Sequence, residues 1–176
     1  QRQMCIRDRD GRIEATGRGV QFGLREFFRN PADVRQAGLE GSLEGKAIII
    51  PGLGNVGYHA AKFLEEEDGA RSVAIIERDG AIINDAGFSV EEVSAYKKVN
   101  GKVEGFPESK FESDGAKILT HPCDILIPAA MEGVITDENA ENLQCKVVAE
   151  AANGPVTYEA DQILNERNIL SFQTHI

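Results

Sequence analysis

Three glycines, Gly52, Gly54 and Gly57, follow at once on the apolar run Ala47-Ile48-Ile49-Ile50 and lead into a helical pattern. That G-x-G-x-x-G spacing suits one chemistry, the holding of a pyrophosphate by bare peptide amides. Gly52 permits the tight turn off a strand. Gly54 offers no side chain where a phosphate must approach, and Gly57 lets the helix pack against the strand. A helix opening near Asn55 and Val56 would point its unpaired N–H groups and positive dipole end at the anion. The glycine pattern alone is weak evidence, and the strand before it and the helix after it give it weight. Leu53 completes the loop.

Glu77 closes the next Val- and Ile-rich run, at the distance where a carboxylate accepts hydrogen bonds from an adenosine ribose. It would repel a ribose 2′-phosphate by roughly a few kcal/mol, which leans the reading to NAD over NADP. Arg78 beside it can neutralise such a phosphate, and a third reading makes Glu77 the cap of a turn with Asp79-Gly80. Asn153-Gly154-Pro155 suits either a nicotinamide contact or a plain turn. Thr16-Gly17 suits a helix cap. His59, His121 and His175 share no metal-like spacing, nor do Cys5, Cys123 and Cys145. The cysteines read as small buried hydrophobes.

The elements that must position these residues alternate along the chain. A helix is predicted over 17–30, with Val20, Leu24, Phe27 and Phe28 on one face. Asn30-Pro31 opens a second, short helix. Strands are predicted over 47–50, 72–76, 124–128, 146–149 and 169–172. Helices are predicted over 55–67, from the Ser89–Glu92 capping box to about residue 99, and over 157–167. Short apolar strands alternating with helices define an α/β, Rossmann-like, doubly wound and mostly parallel sheet with helices on both faces. In such a sheet, the turns at Gly52, Glu77, Pro128 and Glu150 line one crevice at the carboxyl ends of the strands.

The chain has 176 residues, of which 41% are hydrophobic, enough for one domain with a full core. Its net charge of -10, from 19 basic and 29 acidic residues, argues against nucleic acid or an anionic membrane as partner. No apolar run approaches the roughly 20 residues that span a bilayer. The charged start reads as no signal peptide, so a cytoplasmic setting is expected.

Four separated blocks resemble the cofactor domain of the glutamate dehydrogenase group, the Glu/Leu/Phe/Val dehydrogenases. They are Glu14-Ala15-Thr16-Gly17-Arg18-Gly19-Val20, the glycine loop, Ile127-Pro128-Ala129-Ala130-Met131-Glu132 and Ala149-Glu150-Ala151-Ala152-Asn153-Gly154-Pro155. The resemblance runs over about residues 14–169. It implies that Thr16 bonds the nicotinamide carboxamide and that Asn55 and Val56 give backbone contacts to the pyrophosphate. Glu77 is implied to meet the adenosine ribose, Ala129 and Ala130 to line the dinucleotide path, and Asn153 to approach the nicotinamide end and the substrate. The stretch from Glu77 to Asn84 is most similar to the glutamate branch. The implied reaction is reversible deamination of L-glutamate to 2-oxoglutarate and ammonia with NAD, or NADP. The group also implies a hexamer, assembled mainly through another domain.

The family's catalytic lysine and aspartate, in K-G-G and P-A-P-D contexts, lie in an upstream domain and have no counterpart here. Residues 1–10 and 171–176 fit no family pattern. The expectation is a fragment with foreign ends and a dinucleotide-binding domain over 11–170, inactive by itself. The rival readings are a leucine, valine or phenylalanine dehydrogenase and a non-catalytic nucleotide-binding module.

Overall fold

The computed structural model describes residues 2–129 and 133–174, with backbone only for residues 2–10 and 13. Ala130, on the expected dinucleotide path, lies outside the described residues. Among the described residues seven strands form one sheet: β1 (Ala47–Pro51), β2 (Arg71–Glu77), β3 (Gly80–Phe88), β4 (Lys110–Glu112), β5 (Ile125–Leu126), β6 (Val147–Glu150) and β7 (Leu170–Gln173). Their order is β4-β3-β2-β1-β5-β6-β7. The five strands from β2 to β7 in that order run parallel. β3 and β4 extend one edge antiparallel.

The helices are α1 (Arg2–Phe28), α2 (Pro31–Gln36), α3 (Asn55–Asp68), α4 (Val90–Asn100), α5 (Asp137–Ala140) and α6 (Tyr158–Glu166). A 3-10 turn covers Gly115–Thr120. The strands are buried on both sides because alternate residues feed two cores. Ile48, Ile50, Ile125, Ile127, Val147 and Ala149 pack under α1, α3 and α4. Ile49, Leu126 and Val148 pack under α5 and α6. Burial of strands on both faces is why they read as unbroken apolar runs rather than alternating ones.

Three expectations need correction. The helix expected over 17–30 begins at Arg2, so residues 2–10 continue a domain helix and Thr16 lies within it rather than capping it. Gly17, beside Thr16, is a packing residue. A Cβ on Gly17 would lie 2.7 Å from His59 Cβ and 3.0 Å from the Ala60 amide, so Gly17 is where α1 and α3 cross. The last strand, expected over 169–172, runs one residue further to Gln173, with Ser171, Phe172 and Gln173 paired to Val148, Ala149 and Glu150. Finally, the Asp79-Gly80 turn folds β2 back into β3, a strand not among those expected, and the Glu77 carboxylate turns to Leu53 and Lys97 rather than capping that turn.

The α1–α3 crossing is braced below Gly17. Arg25 Nε donates to Asp68 at 2.9 Å, Gln21 donates to the same carboxylate at 2.9 Å, and Arg18 pairs with Glu67. Gly17→Val forces two helix backbones apart, an overpacking cost of about 2–3 kcal/mol. Thermal melting should show a loss of roughly 5–10 °C. An unchanged midpoint would place the crossing elsewhere.

Candidate functional site

The chain leaves β1 for β2 on one side of the sheet and later crosses to β5 on the other. β1 and β5 are neighbours, so the crevice between their carboxyl ends is the topological switch point at which doubly wound sheets take ligands. The glycine loop stands there. Gly52 has a φ of 94°, the left-handed conformation that only glycine adopts freely, and its amide donates to the Ile76 carbonyl at 2.8 Å. A Cβ on Gly57 would strike the Gly52 carbonyl oxygen and lie 3.1 Å from Ile50 and 3.3 Å from Ala129. Among the described residues, a Cβ on Gly54 would meet nothing within 4 Å. The three glycines thus divide into a tight turn, an open position and a close packing contact.

Gly54 is the N-cap of α3 and supplies no side-chain hydrogen bond to it. The first helical bond is donated by the Tyr58 amide to the Gly54 carbonyl at 2.9 Å. The amides of Asn55, Val56 and Gly57 precede that bond and have no partner in their own helix. These donors, with the helix dipole behind them and an open face at Gly54, fit a diphosphate.

The other expected residues differ in how they relate to the loop. Glu77 is in direct contact, accepting from the Leu53 amide at 2.9 Å and from Lys97 Nζ at 3.1 Å. Ala129 is tied to β1 by its amide, which donates to the Pro51 carbonyl at 3.3 Å. Thr16 lies one residue before the crossing with the first turns of α3, on the same edge of the sheet. Its hydroxyl donates to the Arg12 carbonyl at 2.9 Å, an i−4 bond it must exchange to serve a ligand. Asn153 is exposed in the loop after β6. That loop is pinned by the Gly133 amide to the Gly154 carbonyl and the Ile135 amide to the Pro155 carbonyl, both at 2.9 Å.

Lys97 went unread in the sequence. It stands in the last turn of α4, twenty residues from Glu77, where its charge complements the helix dipole. The Ser89 cap does mark where α4 begins, since Ser89 Oγ accepts from the Glu92 amide at 3.4 Å. It gives no hint of which strand end receives the far turn.

Among the described residues no cluster of His, Cys, Asp or Glu can hold a metal, and no helix is long and apolar enough to cross a membrane. Cys123 and Cys145 are buried and free. Burial pushes the Cys123 thiol well up and the Cys145 thiol up to about 11, so both are inert hydrophobes rather than nucleophiles.

The architecture is that of a Rossmann-like α/β domain with the glycine loop at its switch point. The chain belongs to the Glutamate/Leucine/Phenylalanine/Valine dehydrogenase family, whose model matches residues 9–176. It is 48% identical over 161 residues to a probable glutamate dehydrogenase of Sinorhizobium fredii, covering 90% of this chain and 36% of that protein. Among solved structures, the glutamate dehydrogenase of Peptoniphilus asaccharolyticus superposes with a TM-score of 0.69 at 35% identity, covering 93% of this chain and 35% of that one. The hetero-hexameric glutamate dehydrogenase of Thermus thermophilus, in a Leu-bound form, gives a TM-score of 0.77 at 25% identity, covering 92% and 36%. The chain therefore spans about a third of the length of the curated relatives it matches.

Proposed function

We propose that this chain is the cofactor-binding part of a glutamate dehydrogenase, which converts L-glutamate, water and NAD or NADP to 2-oxoglutarate, ammonia and the reduced cofactor. The observation that carries the reading is the open Gly54 at the head of α3, beside amides with no partner in the helix. The dinucleotide, when bound, supplies a nicotinamide ring that exchanges hydride with the substrate. Asn55 and Val56 hold its pyrophosphate through their amides. Glu77 accepts from the adenosine ribose, while Gly52, Leu53 and Gly57 shape the loop and Ala129 and Ala130 flank the path. Thr16 and Asn153 fix the nicotinamide end, so that one face of the ring is turned toward the substrate. The substrate-activating lysine and the proton-moving aspartate belong to another domain of the full-length enzyme. The free, buried thiols suit a reducing, cytoplasmic setting, and the hexameric relative supports assembly of the full-length protein as a hexamer.

Spectrophotometric assay of the full-length protein is expected to show reduction of NAD with L-glutamate. Leucine, valine and phenylalanine are expected to support little turnover, and the 176-residue chain to support none. Preference for leucine, valine or phenylalanine would reassign the substrate. Turnover by the chain alone would overturn the division of labour between domains.

A further inference from the structure

α4 spans the sheet from its amino edge to its carboxyl edge. At the start of α4, the Val90 amide meets the Glu65 carboxylate, far down α3. Its last turn brings Lys97 to Glu77. The Lys97 ammonium and the Leu53 amide converge on the same oxygen, Glu77 Oε1, at 3.1 and 2.9 Å. The Glu77 side chain is 12% exposed and that of Lys97 is 39% exposed. A cavity of about 510 Å³ opens beside the pair, lined by Leu53, Gly54, Asn55, Ser94, Lys97 and Lys98 among others. Arg78, the cation next to Glu77 in sequence, is exposed in the β2–β3 turn.

A lone carboxylate at the end of β2 rejects a ribose 2′-phosphate by charge repulsion. The carboxylate here is already neutralised by an ammonium on a flexible four-carbon stem, the kind of cation that can turn from one anion to another. Lys98 adds a second positive charge to the same wall.

Resting on the cofactor-domain reading above, we infer that Lys97 is a specificity-determining residue that opens the ribose subsite to both classes of dinucleotide. With a free 2′-hydroxyl, Glu77 is the acceptor and Lys97 stays paired to it. With a 2′-phosphate, Lys97 leaves Glu77 for the phosphate and Lys98 supports it.

The test is calorimetric titration of the chain with adenosine 5′-phosphate and adenosine 2′,5′-bisphosphate, which differ only in the 2′-phosphate. The wild type is expected to bind the bisphosphate at least as well as the monophosphate. Lys97→Gln should weaken the bisphosphate by about tenfold or more, the loss of one charge-assisted contact, and shift the monophosphate by less than about threefold. Lys97→Arg should keep most of the bisphosphate affinity, and Glu77→Gln should raise it. Equal weakening of both ligands by Lys97→Gln would make Lys97 a mere brace for the glycine loop. A wild type that binds the monophosphate but rejects the bisphosphate would also overturn the inference. Failure to bind either ligand would remove the cofactor-domain reading itself, and this inference with it.

Discussion

Gly57→Val should destabilise the chain by about 3 kcal/mol, at the upper end of overpacking costs, whereas Gly54→Val should cost less than about 1 kcal/mol, the scale of a lost cap preference. The two positions lie three residues apart and differ in what surrounds them. A Cβ at 57 strikes the Gly52 carbonyl oxygen, which is backbone and cannot swing aside. The next atoms are Ile50 at 3.1 Å and Ala129 at 3.3 Å, so retreat on the other side is closed as well. Among the described residues a Cβ at 54 meets open space, and the backbone there, at φ -80° and ψ -169°, is extended, a conformation any residue adopts. Thermal melting should separate the variants by roughly 5–10 °C. Equal midpoints would show that the helix does not press on the strand turn. Dinucleotide binding should be lost in both variants, in one because the loop is deformed and in the other because the phosphate is blocked.

Glu65→Gln should stabilise the chain at pH 8 and leave it nearly unchanged at pH 5. Burial raises the Glu65 carboxyl from 4.5 to about 7, with Glu66 and Glu91 nearby adding to the rise and the Val90 amide opposing it. Arg71, Glu92 and Glu108 line the cavity that Glu65 faces. A carboxyl raised in the folded state binds its proton more tightly there than in the unfolded chain. Stability therefore falls as pH rises from about 4.5 through about 7, and the penalty is complete above that window. Glutamine keeps an oxygen for the Val90 amide, which now sits 3.2 and 3.3 Å from the two carboxylate oxygens, and it carries no charge to desolvate. The group is only partly buried, so the gain at pH 8 is about 1–2 kcal/mol rather than the full value of the shift. Melting curves across pH 5 to pH 8 check this. A difference between the two proteins that does not vary with pH would contradict the assigned cause.

The glycine loop was legible because the elements that form it are local. The strand before it, the turn and the helix after it lie within about twenty consecutive residues, and the nearest atoms to Gly57 belong to Gly52 and Ile50. The Ser89 cap and the Asn30-Pro31 helix start were legible for the same reason, although Asn30 makes no side-chain cap bond. The β2–β3 hairpin was not. Asp79-Gly80 between two apolar runs is a hairpin signal, but a regular alternation of strand and helix leads one to expect a crossover there. β4 has three residues, too few to show a period. α5 has four, marked only by the reciprocal bonds of Thr136 and Asn139. The first half of α1 carries mostly charged residues and shows no apolar stripe. The Glu77–Lys97 pair depends on how far α4 climbs the sheet, and no spacing within the sequence encodes that height.

The central claim is that the amides at the head of α3 hold a dinucleotide diphosphate. Titration of the chain with NADH, followed by calorimetry or nicotinamide fluorescence, tests it most directly when the Gly54→Val protein is measured alongside. The account predicts saturable one-to-one binding by the wild type. It predicts loss of that binding, by about a hundredfold or more for a blocked phosphate site, in a variant that melts within a few degrees of the wild type. No binding by a folded wild-type chain, or unchanged binding by Gly54→Val, would contradict it.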